Sequence, residues 1–302
     1  MGIVNSTIVT ERGLRATFME AFNNGELPGN IESLIMRAPS NKGSEKYGWL
    51  GNVPQLREWT DERNISGLED FDYTITNTSY ESTIKVDRDE LEDDQIGAVN
   101  VRIRDLAKRA ATHPTKLLMD LIANGATGLG FDGVPFFSAS HVLGKIAAQD
   151  NIVSGSGVTF ATVQADFRSA RERMRGFTDD QGEVINQGNL KLAVVCSPAL
   201  EGIMREVFSA SLIQSGASNV ERGQVSEENI HVSGRLTGND WYMLELGEGV
   251  KPFIFQTRRN VEFKSLQGES EAGFLRKHYL YGVDYRAAMA YGLWQKAIKI
   301  DN

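Results

Sequence analysis

The spacing of apolar positions predicts one long helix in the middle of the chain. Apolar residues recur at steps of three and four from Ile96, and the same apolar face resumes at Leu117 and stops at Gly125. Pro114 lies inside this run, so it either kinks one helix or divides two, and we favour one kinked helix. Six carboxylates in residues 87–94 come just before it, where the helix dipole favours negative charge. The pattern thus predicts an amphipathic helix with an acidic start.

Three shorter helices are predicted around it. A weak helical stretch over residues 14–22 ends in the breaker-rich residues 23–29. A second helix has well-spaced apolar residues in the range 160–174. A third follows Ser197, which we expect to cap it, with Pro198 at its first position.

Extended segments fill most of the remaining chain. Residues 47–86 contain alternating apolar and polar positions after the segment YGWLGNVPQLREW, which is typical of a long hairpin. LKLAVV, at 190–195, is a nearly continuous apolar strand, as expected when both faces are buried. From Pro252 to its end the chain is strand-like. The fold class predicted from these patterns is α+β.

The composition is that of an ordinary globular protein, and it excludes several classes. With 302 residues, 41% hydrophobic and 24% charged, the chain is long enough for two domains or for one domain with long excursions. No apolar run approaches the roughly 20 residues of a membrane helix, so no membrane partner is expected. The single cysteine, Cys196, excludes an internal disulfide bond and fits a reducing compartment. The net charge of −8 argues against tight binding of nucleic acid but allows a protein that encloses DNA.

Two motifs suggest ligand binding but lack the surroundings that such binding needs. GLGFDG, at 128–133, has the spacing of a dinucleotide site, yet it follows a helix and leads into Pro135, where the site requires a strand before and a helix after. The acidic run at 87–94 could suggest calcium, but Leu91 occupies a ligand position and no glycine supplies the turn. We interpret the first as a turn and the second as a helix start, and we expect no cofactor and no metal.

Cys196 is the candidate nucleophile. It follows a predicted strand and precedes a helix N-terminus, which could lower the pKa of its thiol. Nothing in the sequence ties any of the four histidines to it as a base, so we expect a small buried cysteine. Because no other familiar catalytic motif occurs, the protein is not expected to be an enzyme. A cytosolic enzyme that uses Cys196 or the 128–133 loop is the alternative from another functional class.

The aromatic residues of the extended segment point to contacts between subunits. Trp49 and Trp59 lie in a glycine-containing stretch where a monomer offers little core, and tryptophan is favoured as an interface anchor. An ordinary small core is the alternative explanation. The inter-subunit contact candidates of this segment are Tyr47, Trp49, Leu50, Leu56, Arg57 and Trp59.

Several strings of the sequence resemble a known family over nearly the whole chain. They include YGWLG with LREW, ESTIKVDRDELEDDQIG, AATHP, FDGVPFFSASH, LAVVCSPALEG and YGVDYRAAMAYGLWQ, and they are similar to the Mu-like phage major head subunit (gpT) family. The resemblance implies the Hong Kong 97-like capsid fold. That fold has an N-terminal arm, an extended hairpin called the E-loop, a peripheral domain with a long spine helix, and an axial domain.

The resemblance also implies domain boundaries. They are an arm at 1–30, a peripheral domain at 31–150 and 255–273, and an axial domain at 151–254 and 274–302. The E-loop would lie within about 47–86 and the spine helix at about 94–124. Pro114 is the candidate flex point of the spine, because tailed-phage heads usually expand from a rounder precursor.

The function implied by the resemblance is that of a major capsid protein. Such a protein self-assembles through hexamers and pentamers into the icosahedral shell that encloses a double-stranded DNA genome, without sequence-specific binding. A portal protein and a separate scaffolding protein are implied as partners, and a decoration protein is left open. The implied location is the virion capsid, assembled in the bacterial host cytoplasm. An encapsulin-type nanocompartment, a bacterial shell that packages enzymes, is the main alternative within the same fold.

Overall fold

The computed structural model describes residues 3–25, 31–48, 50, 72–87, 96–144, 146–212, 216–247, 249–266 and 278–302. The helices are α1 Ile3–Asn23, α2 Ile96–Ala123, α3 Phe160–Gly176 and α4 Glu201–Ser209. Short 3-10 turns span Ile31–Leu34, Pro198–Leu200 and Trp294–Lys296. The strands are β1 Ile35–Pro39, β2 Ser44–Lys46, β3 Thr74–Thr76, β4 Thr78–Asp87, β5 Ile152–Ser154, β6 Leu192–Cys196, β7 Val225–Val232, β8 Trp241–Glu245, β9 Phe253–Leu266, β10 His278–Tyr291 and β11 Ala297–Asp301.

The strands form two main sheets and one small ladder. One sheet has the order β1-β9-β10-β4, in which only the β1-β9 pair is parallel. The other has the order β5-β11-β8-β6-β7, with parallel pairs at β5-β11 and β6-β7. Strands β2 and β3 form a separate antiparallel ladder. The predicted α+β class is confirmed.

The described residues bury apolar side chains in two hydrophobic clusters, and β9 and β10 run through both. At one end of β9, Phe253 lies in the larger cluster, and near the other end Phe263 lies in the smaller one. In β10 the order is reversed, with Tyr281 in the smaller cluster and Tyr291 in the larger one. The two clusters are therefore joined by the β9-β10 ladder, which shifts register between Asp284 and Ala287.

Helix α2 connects the same two clusters. Its first half packs Val99 and Ile103 into the smaller cluster, and its second half packs Leu118 and Ile122 into the larger one. The helix is continuous through Pro114, so the prediction of one helix is confirmed and the division into two is wrong. It begins at Ile96 with no acidic residue in its first turn. Residues 88–95 of the predicted acidic start lie outside the described residues.

Helix α1 is longer than the weak sequence pattern suggests and packs on the body of its own subunit. Leu14 and Phe18 are buried in the smaller cluster. The ring of Phe18 stacks on that of Phe263 at 4.8 Å between centroids, and the Arg15 guanidinium donates to the Phe263 carbonyl at 3.1 Å. The helical part of the expected arm is thus attached to α2 and β9.

The region between α3 and α4 follows the sequence prediction with one correction. Helix α3 begins at Phe160 with Thr159 as its cap, and β6 is buried at all five positions. Ser197 occupies the N-cap position of a 3-10 turn over Pro198–Leu200 with Pro198 at its start, as expected, but this turn precedes α4 and Ser197 makes no side-chain capping bond. Its hydroxyl donates instead to the Gly238 carbonyl at 2.9 Å.

Gly128 provides a test of the packing after α2. A Cβ atom at Gly128 would lie 2.4 Å from the hydroxyl oxygen of Tyr291, which donates to the Leu121 carbonyl at 2.9 Å. We expect Gly128→Ala to lower the free energy of unfolding by about 1–3 kcal/mol, because the Tyr291 ring must move. Chemical denaturation of the subunit measures this change.

Gly202 is the matched control for this substitution. It is exposed in α4, and no atom lies within 4 Å of the position that a Cβ atom would take there. Gly202→Ala should therefore be neutral or stabilising by up to about 1 kcal/mol, because alanine loses less backbone entropy in a helix. Equal effects of the two substitutions would contradict the close contact at Gly128.

Candidate functional site

The base of the predicted E-loop is a short antiparallel ladder. Strands β2 and β3 pair Ser44 with Thr76 and Lys46 with Thr74. The Tyr47 amide then donates to the Tyr73 carbonyl at 2.8 Å. The two ends of the segment between Tyr47 and Tyr73 are therefore hydrogen-bonded to each other, and residues 49 and 51–71 within it lie outside the described residues. The extended hairpin predicted at 47–86 is described only at this base and in β4.

A buried chain of polar side chains fixes the base of the loop to the main sheet. The Tyr47 hydroxyl donates to Gln256 Oε1 at 2.8 Å, and Gln256 Nε2 donates to Asn77 Oδ1 at 2.8 Å. Asn77 Nδ2 in turn donates to Ser40 Oγ at 2.9 Å and to the Lys42 carbonyl at 3.0 Å. Gln256 is fully buried in β9. Because each group has a partner, the network specifies one geometry where β1, β3 and β9 meet.

Glu45 holds the turn between β1 and β2. One of its carboxylate oxygens accepts the amides of Asn41 and Lys42, at 2.9 and 3.1 Å, and the Ser40 hydroxyl at 3.0 Å. These hydrogen bonds lower the pKa of Glu45, and the bond from the Asn41 amide has the largest effect. The charged carboxylate therefore stabilises the turn in which the loop base begins.

Two of the six inter-subunit contact candidates lie among the described residues. Tyr47 is 6% exposed and Leu50 is fully buried, and both side chains belong to the larger hydrophobic cluster. Burial raises the pKa of Tyr47, so its hydroxyl stays protonated as the donor to Gln256. The other four candidates, Trp49, Leu56, Arg57 and Trp59, lie outside the described residues, so their contacts stay a prediction.

Pro114, the flex candidate, lies beside an aromatic cluster that the sequence pattern did not reveal. His113 Nδ1 shares a short hydrogen bond with the Tyr285 hydroxyl of β10, and the Tyr80 ring of β4 packs edge-on to His113 at 4.7 Å. Tyr80 and Tyr285 stack at 5.2 Å between centroids. Burial, followed by the nearby charge of Lys116, lowers the pKa of His113. The middle of α2 is thus held to the sheet by a neutral aromatic cluster.

A second buried cluster looks catalytic in composition but is inaccessible. His141 Nδ1 lies 2.6 Å from Asp132 Oδ2, and its Nε2 lies 3.3 Å from Asn151 Oδ1. The imidazole stacks on the Trp294 ring at 4.0 Å. The side chains of His141 and Asp132 are 0% and 2% exposed, so no substrate can reach the pair. The cluster is a structural brace between the turn after α2 and the C-terminal strands.

Cys196 does not have the environment of a nucleophile. Its side chain is buried at the end of β6, and burial raises the pKa of its thiol to about 12. The thiolate is therefore absent at neutral pH, which agrees with the interpretation as a small core residue.

The glycine-rich segment at 128–133 is a turn and not a phosphate loop. The Gly130 amide donates to the Val134 carbonyl at 2.7 Å, and the Phe136 amide donates to the Gly128 carbonyl at 2.8 Å. The next helix in the described part of the chain begins only at Phe160, whereas a dinucleotide site requires one directly after the glycines. Within the described ranges, no group of three or more His, Cys, Asp and Glu residues could hold a metal ion. Nor does any helix among the described residues have the length and apolarity to cross a membrane.

Comparisons with known proteins give the family. The family described as the Mu-like prophage major head subunit gpT matches residues 9–165 and 221–302. The major capsid protein of Escherichia phage Mu is 25% identical over 299 residues, covering 97% of this chain and 75% of the relative. The Mu-like prophage FluMu major head subunit of Haemophilus influenzae is 22% identical over 298 residues, covering 98% and 74%.

The fold comparison agrees with the sequence comparison. The procapsid of bacteriophage JBD30 aligns over 100% of this chain and 76% of its own, with a TM-score of 0.55 and 23% identity. The Hong Kong 97-like capsid fold implied by the resemblance is thereby confirmed. The family consists of structural subunits of phage heads, so the expectation that the protein is not an enzyme is also confirmed. The chain belongs to the Mu-like prophage major head subunit gpT family and is a major head protein of a tailed phage, a self-associating shell component of the virion.

Proposed function

We propose that this head protein assembles through hexamers and pentamers into an icosahedral shell around double-stranded DNA. The family match over residues 9–165 and 221–302 is the observation that carries the proposal. A portal protein and a separate scaffolding protein are its further partners, and assembly takes place in the bacterial host cytoplasm. The encapsulin-type alternative shares the fold, but membership of a head-subunit family favours a shell for a genome over one for enzymes.

The smaller hydrophobic cluster and the five-stranded sheet support the division into a peripheral and an axial domain. The smaller cluster draws on the first half of α2 and on Phe263 of β9, which lie within the peripheral domain at 31–150 and 255–273, and it also takes in Leu14 and Phe18 of α1 and the start of β10. The sheet that contains β5, β6, β7, β8 and β11 corresponds to the axial domain at 151–254 and 274–302. Since β10 passes from one cluster to the other, we place the last domain boundary inside this strand, near Tyr285.

The base of the loop supports the proposal that residues 47–86 contain an E-loop that contacts a neighbour. The buried Tyr47–Gln256–Asn77 network fixes the direction in which the chain leaves the sheet. A loop with a fixed base loses less conformational entropy when it binds than a loop that is free at both ends. A shell repeats one contact many times, so a modest contact with a fixed geometry is sufficient.

Electron microscopy of the purified full-length protein tests assembly directly. The proposed function requires closed particles far larger than a 33.4 kDa monomer. A protein that remained monomeric under all assembly conditions, including co-expression with its scaffolding protein, would refute the proposal.

The tryptophans of the loop should act in assembly and not in folding. We expect Trp49→Ala and Trp59→Ala to leave a folded subunit with an unchanged unfolding transition but to reduce the yield of shells, because interface anchors lose their contact area. Trp241→Ala is the control, since Trp241 is fully buried and its truncation should cost the subunit about 3–5 kcal/mol. Normal shell yield in both loop variants would contradict the interface assignment, and so would loss of folding.

The polar network should stabilise the subunit. Asn77→Ala removes the oxygen that accepts from Gln256 Nε2 and the amide group that donates to Ser40 Oγ and the Lys42 carbonyl, so we expect a loss of about 1–3 kcal/mol in unfolding free energy. Asn41→Ala is the control, because Asn41 is exposed and contributes its backbone amide to Glu45, which alanine retains. Calorimetry of both variants measures the difference, and an unchanged Asn77→Ala variant would show that the network is not needed.

Pro114 should affect the expansion of the shell. Proline has no amide to donate to the Ala110 carbonyl, and Pro114→Ala supplies one. We expect the variant subunit to be more stable by up to about 3 kcal/mol and its shells to remain in the rounder precursor under conditions that expand the wild type. Val101→Ala, an exposed change in the same helix, should leave expansion unchanged. Normal expansion of Pro114→Ala shells would contradict the proposal that Pro114 is the flex point.

A further inference from the structure

The exposed side of α2 is strongly basic in a protein that is acidic as a whole. The helix carries five cationic residues, of which Arg104, Lys108, Arg109 and Lys116 are exposed and have no carboxylate within ion-pair distance among the described residues. Its carboxylates are Asp105 and Asp120. The net charge of the chain is −8, so this concentration of positive charge is not a consequence of composition.

A groove extends the basic side of the helix toward the turn after β7. It is lined by Arg109, Thr112, His113, Thr115, Lys116, Ser233 and Arg235. Arg235 is half exposed and lies 3.4 Å from Asp120, which leaves part of its guanidinium open to the groove. Thr115 Oγ1 is buried and has no hydrogen-bond partner within the described part of the chain. His113, Lys116 and Arg235 line the same groove, so these two charges lie on either side of one surface feature.

Cations combined with hydroxyl groups are the side chains that bind phosphate. Arginine and lysine supply charge, and serine and threonine supply hydrogen bonds to phosphate oxygens. Side chains four residues apart, such as Arg104 and Lys108, lie about 6 Å apart along the helix. They can therefore contact successive phosphate groups of one DNA strand. The asparagine and glutamine side chains that read adenine are absent from the set that lines the groove, and sequence-independent contact is expected.

We propose that the α2 basic surface, defined as Arg104, Lys108, Arg109, Lys116 and Arg235, binds the backbone phosphates of the DNA inside the shell. This inference rests on the proposed function and deepens it, because it assigns the DNA-facing side of the subunit. An acidic protein segment is the other ligand whose charge would match this surface. The Thr112 hydroxyl donates to the Lys108 carbonyl and Thr115 Oγ1 is buried, so Ser233 is the groove residue whose hydroxyl can donate to phosphate beside the cations. Phosphate accepts several hydrogen bonds from one site.

The test uses two full-length variants with the same net charge. One carries Arg104→Gln, Lys108→Gln, Arg109→Gln and Lys116→Gln, and each substitution lies on an exposed position of α2. The control carries four Gln substitutions at exposed cations scattered over other elements. These are Lys42, Lys85, Arg175 and Arg222. Both variants lose four positive charges, which changes the net charge from −8 to −12.

The readout is the binding of a fluorescent DNA duplex to unassembled subunits at several salt concentrations. We expect the α2 variant to bind the duplex roughly tenfold or more weakly at low salt. The magnitude of the slope of log K against log salt concentration should fall by about three to four, because four phosphate contacts are removed. The control variant should keep the wild-type slope. Equal losses in both variants, or no loss in either, would overturn the proposal.

Two further measurements separate the remaining possibilities. A polyglutamate peptide that bound the wild type as tightly as the duplex, and lost binding in the α2 variant, would identify an acidic-segment site and overturn the assignment to DNA. Electron microscopy of shells from both variants tests the proposed function separately, since assembly requires no DNA contact. Shells that form while duplex binding is unaffected by the α2 substitutions would refute this inference and leave the proposed function intact.

Discussion

The long antiparallel ladder between β9 and β10 is the constraint on which the rest of the subunit depends. It pairs Phe253 with Tyr291 at one end and Leu266 with Leu280 at the other, and it passes through both hydrophobic clusters. Because a sheet resists shear along its hydrogen bonds, the two clusters cannot slide past each other without breaking the ladder. The loop base, the helix α2 and the parallel strand β1 all attach to this element. A shell subunit needs such a frame, since each contact is repeated at many positions and a small error in geometry would prevent closure.

The β9-β10 ladder and helix α2 are regular except where Tyr285 contacts the middle of α2. The pairing of β10 with β9 shifts register between Asp284 and Ala287, and Pro114 interrupts the hydrogen bonding of α2. These two irregularities are adjacent, because His113 is hydrogen-bonded to Tyr285 inside the shifted stretch. A bend at this level would break fewer backbone hydrogen bonds than a bend elsewhere, since some are already missing. These irregularities support the proposal that Pro114 is the flex point of α2.

The sequence predicted the elements whose signal is local. The helix at Ile96–Ala123 and the buried strand at Leu192–Cys196 were expected because apolar periodicity depends on neighbours along the chain. The role of Ser197 was mistaken, because its hydroxyl is taken by Gly238, 41 residues away. The Gln256–Asn77 contact spans 179 residues, and no local pattern carries it. The family strings supplied the capsid fold, which residue chemistry alone would not have named.

The polar side chains of this subunit fix its geometry and set its surface charge, and they do not form a catalytic site. The pair of Asp132 and His141 has the composition of a catalytic site, but its complete burial makes it a brace. Hydrogen bonds buried in this way are costly to break, so they fix a single geometry for the turn after α2. Several cations outside α2 are paired with carboxylates, as Lys296 is with Glu245 and Arg173 with Asp150, whereas four cations of α2 have no carboxylate within ion-pair distance among the described residues. An acidic body weakens attraction between subunits and to polyanions in general, while the cations gathered on α2 form a surface that can attract polyanions. The proposed DNA contact fits this distribution, since a few cations on one surface give binding that salt weakens easily.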